Sequence, residues 1–198
     1  MSRTTRRDAT AAPYKGLSDA EIDQRYGDFF AVMRDSAIPN MQRLQAAYRG
    51  AGIEVQYTVI ESLTRDGRDR SLDYKISGIH VPRGAWDARV IDEIAPAADE
   101  IVLPKTSSSV FISTNIDYVL RNFGVRSLIM AGILTDQCID SAVRDACDLG
   151  YLVSVATDAC VTHSAERHEW SLRNNRGYCR QRSTAQLVEE IDRLTRPA

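Results

Sequence analysis

The chain contains no apolar run long enough to cross a membrane, and its arginine-bearing start is followed by no apolar h-region, so it does not read as a signal peptide. It has no G-x-G-x-x-G, P-loop or G-x-S-x-G. Dinucleotide binding, nucleotide triphosphate hydrolysis and the serine-hydrolase elbow therefore lack their defining residues. Its four cysteines (138, 147, 160 and 179) show no C-x-x-C pairing, which excludes the usual zinc pattern and a disulfide framework and predicts a reduced, cytoplasmic protein. His80, His163 and His168 do not share a metal-ligand spacing, so neither a metal nor an organic cofactor is expected. A formal net charge of -2 implies no basic face, which argues against nucleic acid as a partner. Internal repeats, low-complexity stretches and linkers are also missing.

What remains is an ordinary globular composition: 198 residues, 43% hydrophobic and 26% charged, enough for one domain with a substantial core. Residues 1–25 read as an irregular N-terminal segment and 26–198 as the domain. A long helix is predicted over 26–51, kinked or divided at Pro39 and closed by Gly50 and Gly52. Ile53 to Ile60 reads as a strand rich in β-branched residues. A polar Arg/Asp-rich loop follows to about Pro82, long enough to suggest a functional role. Further on, helices are predicted at 87–94, 114–122, 136–149, 165–175 and 184–194, and strands at 100–104, 125–131 and 151–157. Strands alternating with helices through glycine turns predict a parallel sheet covered on both faces.

Ligands in such folds sit at the carboxyl ends of the strands. Two chemically useful side chains fall there. Cys138 ends the turn Gly132-Ile-Leu-Thr-Asp-Gln-Cys138 at the start of a helix, where unpaired N–H groups and the helix dipole favour a thiolate. A small buried core cysteine is the plainer reading of the same position. Lys105 closes the apolar segment Ile101-Val-Leu-Pro104, either as a solvated strand-end charge or as an ammonium beside the thiol. Phe111 and Asn115 either wall a small pocket or serve the turn and cap, while Ser113 and Thr114 read first as capping residues. Gln137 either hydrogen-bonds an amide or faces solvent. Glu61, with Arg65, Arg68, Arg70 and Lys75, lies in the long loop, which either covers a site and contacts its ligand or acts as a solvated lid. Cys147, Cys160 and Cys179 read as structural.

Pro104-Lys-Thr-Ser-Ser-Ser-Val-Phe111, Ser113-Thr-Asn-Ile-Asp-Tyr-Val-Leu120, Gly132-Ile-Leu-Thr-Asp-Gln-Cys138 and Asp158-Ala-Cys-Val together resemble the isochorismatase-like cysteine hydrolases, over roughly residues 26–195. The Ser-Thr-Asn-Ile-Asp-Tyr run is most similar to the carbamoyl- and ureido-amide hydrolases of that superfamily. The resemblance implies a three-layer α/β/α, doubly wound, Rossmann-like parallel sheet and an Asp–Lys–Cys triad, with Lys105 and Cys138 as two members. It implies a cis peptide between Ile133 and Leu134, with the backbone N–H groups of Leu134 and Cys138 forming an oxyanion hole. It also implies a homo-oligomer, dimer or tetramer, acting on a small amide or ureido molecule without cofactor or metal.

One part of the pattern is missing. The family aspartate ends a central first strand, whereas Met1-Ser-Arg-Thr-Thr-Arg-Arg-Asp-Ala-Thr10 has no apolar alternation and is not that strand. Spacing from Lys105 puts the aspartate at or just before residue 1, and Asp8 matches a later loop position; the strand is expected upstream, the alternatives being that another segment or subunit fills the gap or that the chain is a catalytically silent relative. Its neighbours should then be unpaired. The function expected is cysteine-dependent hydrolysis of a small amide, ureido or carbamoyl C–N bond through a thioester, impaired in this form by loss of the aspartate. The alternatives are a catalytically silent binding or scaffold protein and, third, a thiol redox protein using Cys138 with Cys160.

Overall fold

The computed structural model describes residues 16–195. Helix α1 (Asp19–Val32) begins seven residues before the helix expected at Tyr26, and most of the segment 1–25 expected to be irregular lies outside the described residues. The cause is a reciprocal cap: Glu21 N donates to Ser18 Oγ, and Ser18 N donates to Glu21 Oε2 at 2.8 Å. A π-helical turn (Met33–Ala37) joins α1 to α2 (Ile38–Gly50). Pro39 lies in the first turn of α2, so the one residue without an N–H sits just past a widened turn and the helix is divided there as the sequence predicts. Gly52, at φ +66°, ends α2: Gly52 N donates to Arg49 O, and Ile53 N to Tyr48 O. The buried side chains Ile22, Phe29, Met33, Ala37, Ile38, Met41 and Leu44 recur at helical spacing and face the core.

Strand β1 (Gln56–Ile60) pairs in parallel with β2 (Ile101–Lys105), with Ile60 opposite Lys105. Between them lie a five-residue helix, α3 (Leu72–Ile76), and two 3₁₀ turns, Trp86–Ala88 and Asp92–Ile94, where the sequence suggests one short helix. Two short helices follow β2, α4 (Val110–Ser113) and α5 (Ile116–Asn122). Then come β3 (Ser127–Ile133), the wide turn Thr135–Ile139, α6 (Asp140–Asp148), β4 (Leu152–Val161), α7 (Ala165–Asn174), β5 (Arg180–Arg182) and α8 (Thr184–Thr195). Strand β4 runs four residues beyond the predicted Thr157, and β5, only three residues long, is too short and too arginine-rich to stand out as a strand.

β4 explains the layering. Val153, Val155 and Cys160 pack with α4, α5 and α6, whereas Ala156, Ala159 and Val161 pack with α1, α2 and α8. One strand thus buries both faces between two helical layers, the three-layer arrangement expected. The single sheet expected is a different matter. Among the described residues there are two parallel sheets, β1–β2 and β3–β4–β5, and no ladder joins them. Among the described residues β3 has no strand paired on its outer side, and Ile129 and Ile133 are exposed. Among the described residues no helix is long and apolar enough to cross a membrane.

Candidate active site

Strands run parallel within each of the two sheets, and the contact between Lys105, the last residue of β2, and Cys138, in the turn after β3, brings the two strand ends together. Gly132 adopts φ +129°, and the peptide between Ile133 and Leu134 is cis, as the resemblance implies. The chain then enters the wide turn Thr135–Ile139, in which Leu134 O accepts from Gln137 N at 3.1 Å and Ile139 N at 3.2 Å. Cys138 sits in that turn ahead of α6, half-buried.

Lys105 is 4% exposed, and its Nζ donates to Cys138 Sγ at 3.2 Å. Three other acceptors surround the same nitrogen: Tyr74 Oη at 2.8 Å, Ser107 O at 2.8 Å and Ser108 O at 3.3 Å. Burial pushes the Lys105 ammonium below its ordinary range, while the adjacent Cys138 and Asp73 favour its charged form. Tyr74, 1% exposed, is pushed well above the ordinary phenol range, first by burial and then by Cys138. Its hydroxyl lies 3.8 Å from Cys138 Sγ and donates to Ser107 O at 3.0 Å. Among the described residues, no carboxylate hydrogen-bonds to Lys105 or Cys138; Asp73 is one step away, accepting from Ser108 Oγ at 3.0 Å.

The turn Thr135–Ile139 is held from behind by α7. His168 Nδ1 and Thr135 Oγ1 are 2.9 Å apart, and Ser171 Oγ donates to Thr135 O at 3.1 Å. Arg167 Nε donates to Asp136 Oδ2 at 2.6 Å, and Thr162 Oγ1 donates to the other oxygen of that carboxylate.

The structure therefore brings Cys138 and Lys105 together, and it places the other sequence candidates elsewhere. Phe111 packs into the α4–α5–α6 core with its ring 6.0 Å from Tyr151. Asn115 and Gln137 are exposed, and Asn115 stands at the start of α5 without making a side-chain cap. Glu61 is occupied within the loop, its Oε1 accepting from Gly84 N at 2.6 Å. Arg70 also serves the loop, donating to Gly67 O and Ile79 O. Ser109 caps α4, and Ser113 accepts from Thr106 N. Cys160 is buried and its thiol is pushed up to about 12 by desolvation, a poor partner for redox chemistry. Tyr74 was not marked by the sequence; Thr135 stood only as part of the Gly132–Cys138 motif, and His168 only as a candidate metal ligand. Ser71 capping Tyr74 N is the only local signal around Tyr74, and it indicates a helix rather than a site.

A parallel α/β framework with a buried lysine against a cysteine at its carboxyl edge defines a class of enzyme-like folds. Comparison supplies the family: the Isochorismatase domain profile matches residues 8–186, and the chain belongs to that family. It is 33% identical over 138 residues to ureidoacrylate amidohydrolase RutB of Rhizobium rhizogenes, covering 62% of this chain and 56% of that one. The same enzyme of Serratia proteamaculans is 35% identical over 144 residues, 65% of this chain and 57% of that one. The chain thus spans little more than half the length of these relatives. Among solved structures, an isochorismatase family protein from Desulfovibrio vulgaris superposes with TM-score 0.72 at 28% identity, over 79% of this chain and 84% of that one. N-carbamoylsarcosine amidase from Thermoplasma acidophilum superposes with TM-score 0.65 at 26% identity, over 75% and 82%.

Proposed function

We propose that this protein is a cysteine-dependent hydrolase of a small amide, ureido or carbamoyl C–N bond. The observation that carries the reading is the 3.2 Å contact between a buried Lys105 ammonium and Cys138 Sγ at the strand edge. RutB and the Thermoplasma amidase, named for C–N hydrolysis, support the substrate class.

In this reading the Cys138 thiolate, paired with Lys105, attacks the carbonyl carbon. The backbone N–H groups of Leu134 and Cys138 meet the oxyanion; the leaving nitrogen takes a proton from solvent, matching the one the thiol gave up to solvent, and departs as ammonia or an amine; water then hydrolyses the thioester and regenerates the thiol. Phe111, Asn115, Gln137 and Glu61 have no direct part in that sequence of steps. The carboxylate base implied by the resemblance is not among the described residues; such a positioned base usually contributes about 10²–10⁴-fold to turnover. A homo-oligomer in the cytoplasm belongs to the same proposal.

The test is release of ammonia or amine from a panel of ureido acids and N-carbamoyl amino acids, by the wild-type chain and by Cys138→Ser. Turnover abolished in the variant supports the reading. Binding of these compounds with no turnover, and with Cys138 behaving like Cys147, favours the silent binding protein instead.

A further inference from the structure

We infer that Tyr74 is a positioning residue for the nucleophile: its hydroxyl holds the Lys105 ammonium against Cys138 and turns its single hydrogen onto Sγ once the thiol has lost its proton. The inference rests on the cysteine-hydrolase reading of the same pair.

The geometry is a matter of counting hydrogens. An ammonium has three, and Lys105 Nζ has four acceptors within 3.3 Å, one of them Cys138 Sγ. By accepting at 2.8 Å, Tyr74 Oη fixes one of these directions. The phenol then has one hydrogen and two takers, Ser107 O at 3.0 Å and Sγ at 3.8 Å. A neutral thiol competes poorly with a carbonyl; a thiolate, carrying full charge, competes well. The hydrogen rotates about the C–O bond and is not transferred, since burial keeps the phenol protonated.

The hydroxyl has little freedom to be elsewhere. Tyr74 is 1% exposed, its helix is capped by Ser71, and Ser71 N donates to Thr106 O at 2.9 Å, which ties α3 to the end of β2. The charged groups facing it are Lys105 from β2 and Asp73 from its own helix, whose carboxylate is engaged by Ser108 Oγ.

The test is the rate of iodoacetamide alkylation at Cys138, followed by peptide mass mapping across pH in the full chain. Near neutrality Tyr74→Phe should react about tenfold slower than wild type, the worth of one hydrogen bond to a charged group, and the gap should close in alkali. A gap of equal size at every pH signals altered access alone and overturns the inference; so does no gap. If Tyr74→Phe does not fold, 3-fluorotyrosine at 74, a stronger donor of the same shape, should speed alkylation near neutrality, and no change overturns the inference. A wild-type Cys138 no faster than Cys147 overturns the hydrolase reading itself, and the role of Tyr74 with it.

Discussion

Thr135 Oγ1 and His168 Nδ1 lie 2.9 Å apart, which couples the first residue of the nucleophile turn to the middle of α7. Thr135 is 1% exposed, so its hydroxyl has no water to replace a lost partner. His168→Ala should cost about 1–3 kcal/mol, the penalty for orphaning a buried polar group. It should also slow alkylation of Cys138, read by thermal unfolding and peptide mapping on the same sample.

His168 and His163 also predict a pH dependence. Burial lowers both from their ordinary 6.5, and His163 is enclosed by the Tyr26 and Phe29 rings at 5.4 and 5.3 Å. A depressed folded-state value means that the native state favours the neutral ring. That stabilisation is present above 6.5 and is lost as pH falls through the lowered values. Thermal midpoints should decline below about 6.5, and less steeply in His163→Phe.

A second acid transition sits elsewhere. Arg49 donates from two nitrogens to Glu100, each at 2.8 Å, and holds its carboxyl down at about 2 from an ordinary 4.5. The pair joins α2 to the entry of β2. Its contribution is complete above 4.5 and disappears as pH falls toward about 2. Glu100→Gln should flatten the stability profile in that window, measured by denaturant unfolding at a series of pH values.

Lys105→Met retains most of the side-chain volume and removes the charge. Activity should fall by at least about 100-fold, as the thiolate loses its cation. Thermal stability should change little, because the desolvation cost of a buried ammonium goes with it. Initial rates and melting curves on one preparation separate the two effects.

Gly67 occupies φ +65°, and a Cβ there would lie 2.7 Å from Arg70 Nε and from the His80 ring. Gly67→Ala should destabilise by about 1–3 kcal/mol through the left-handed backbone and the displaced neighbours. Since Arg70 ties Gly67 O to Ile79 O across the loop that carries α3, a parallel loss of Cys138 reactivity is expected from the same alkylation assay.

Much of this protein was decided locally. Apolar spacing marked most of the long helices, the β-branched run marked β1, and Gly52 where α2 ends, because each depends on residues a few positions apart; α3 and the two 3₁₀ turns at 86–88 and 92–94 were not among them. The edge carrying Lys105 and Cys138 was legible too, since parallel crossovers put strand ends together whatever the side chains are. The motif resemblance anticipated the cis bond at Ile133–Leu134.

Tertiary structure decided the remainder. Ser18 and Glu21 carried the signal for α1, but the weak apolar pattern around them hid it. Glu61, Phe111, Asn115 and Gln137 were plausible from composition, yet packing gave the first two structural partners and turned the others outward. Tyr74 and His168 are 64 and 30 residues from Cys138 along the chain, and no spacing rule connects residues that meet only when α3 and α7 dock. The sequence by itself determined the elements and the edge on which chemistry sits; only the fold decided which side chains surround the thiol, because hydrogen bonds of 3 Å reach depend on the final docking of distant elements.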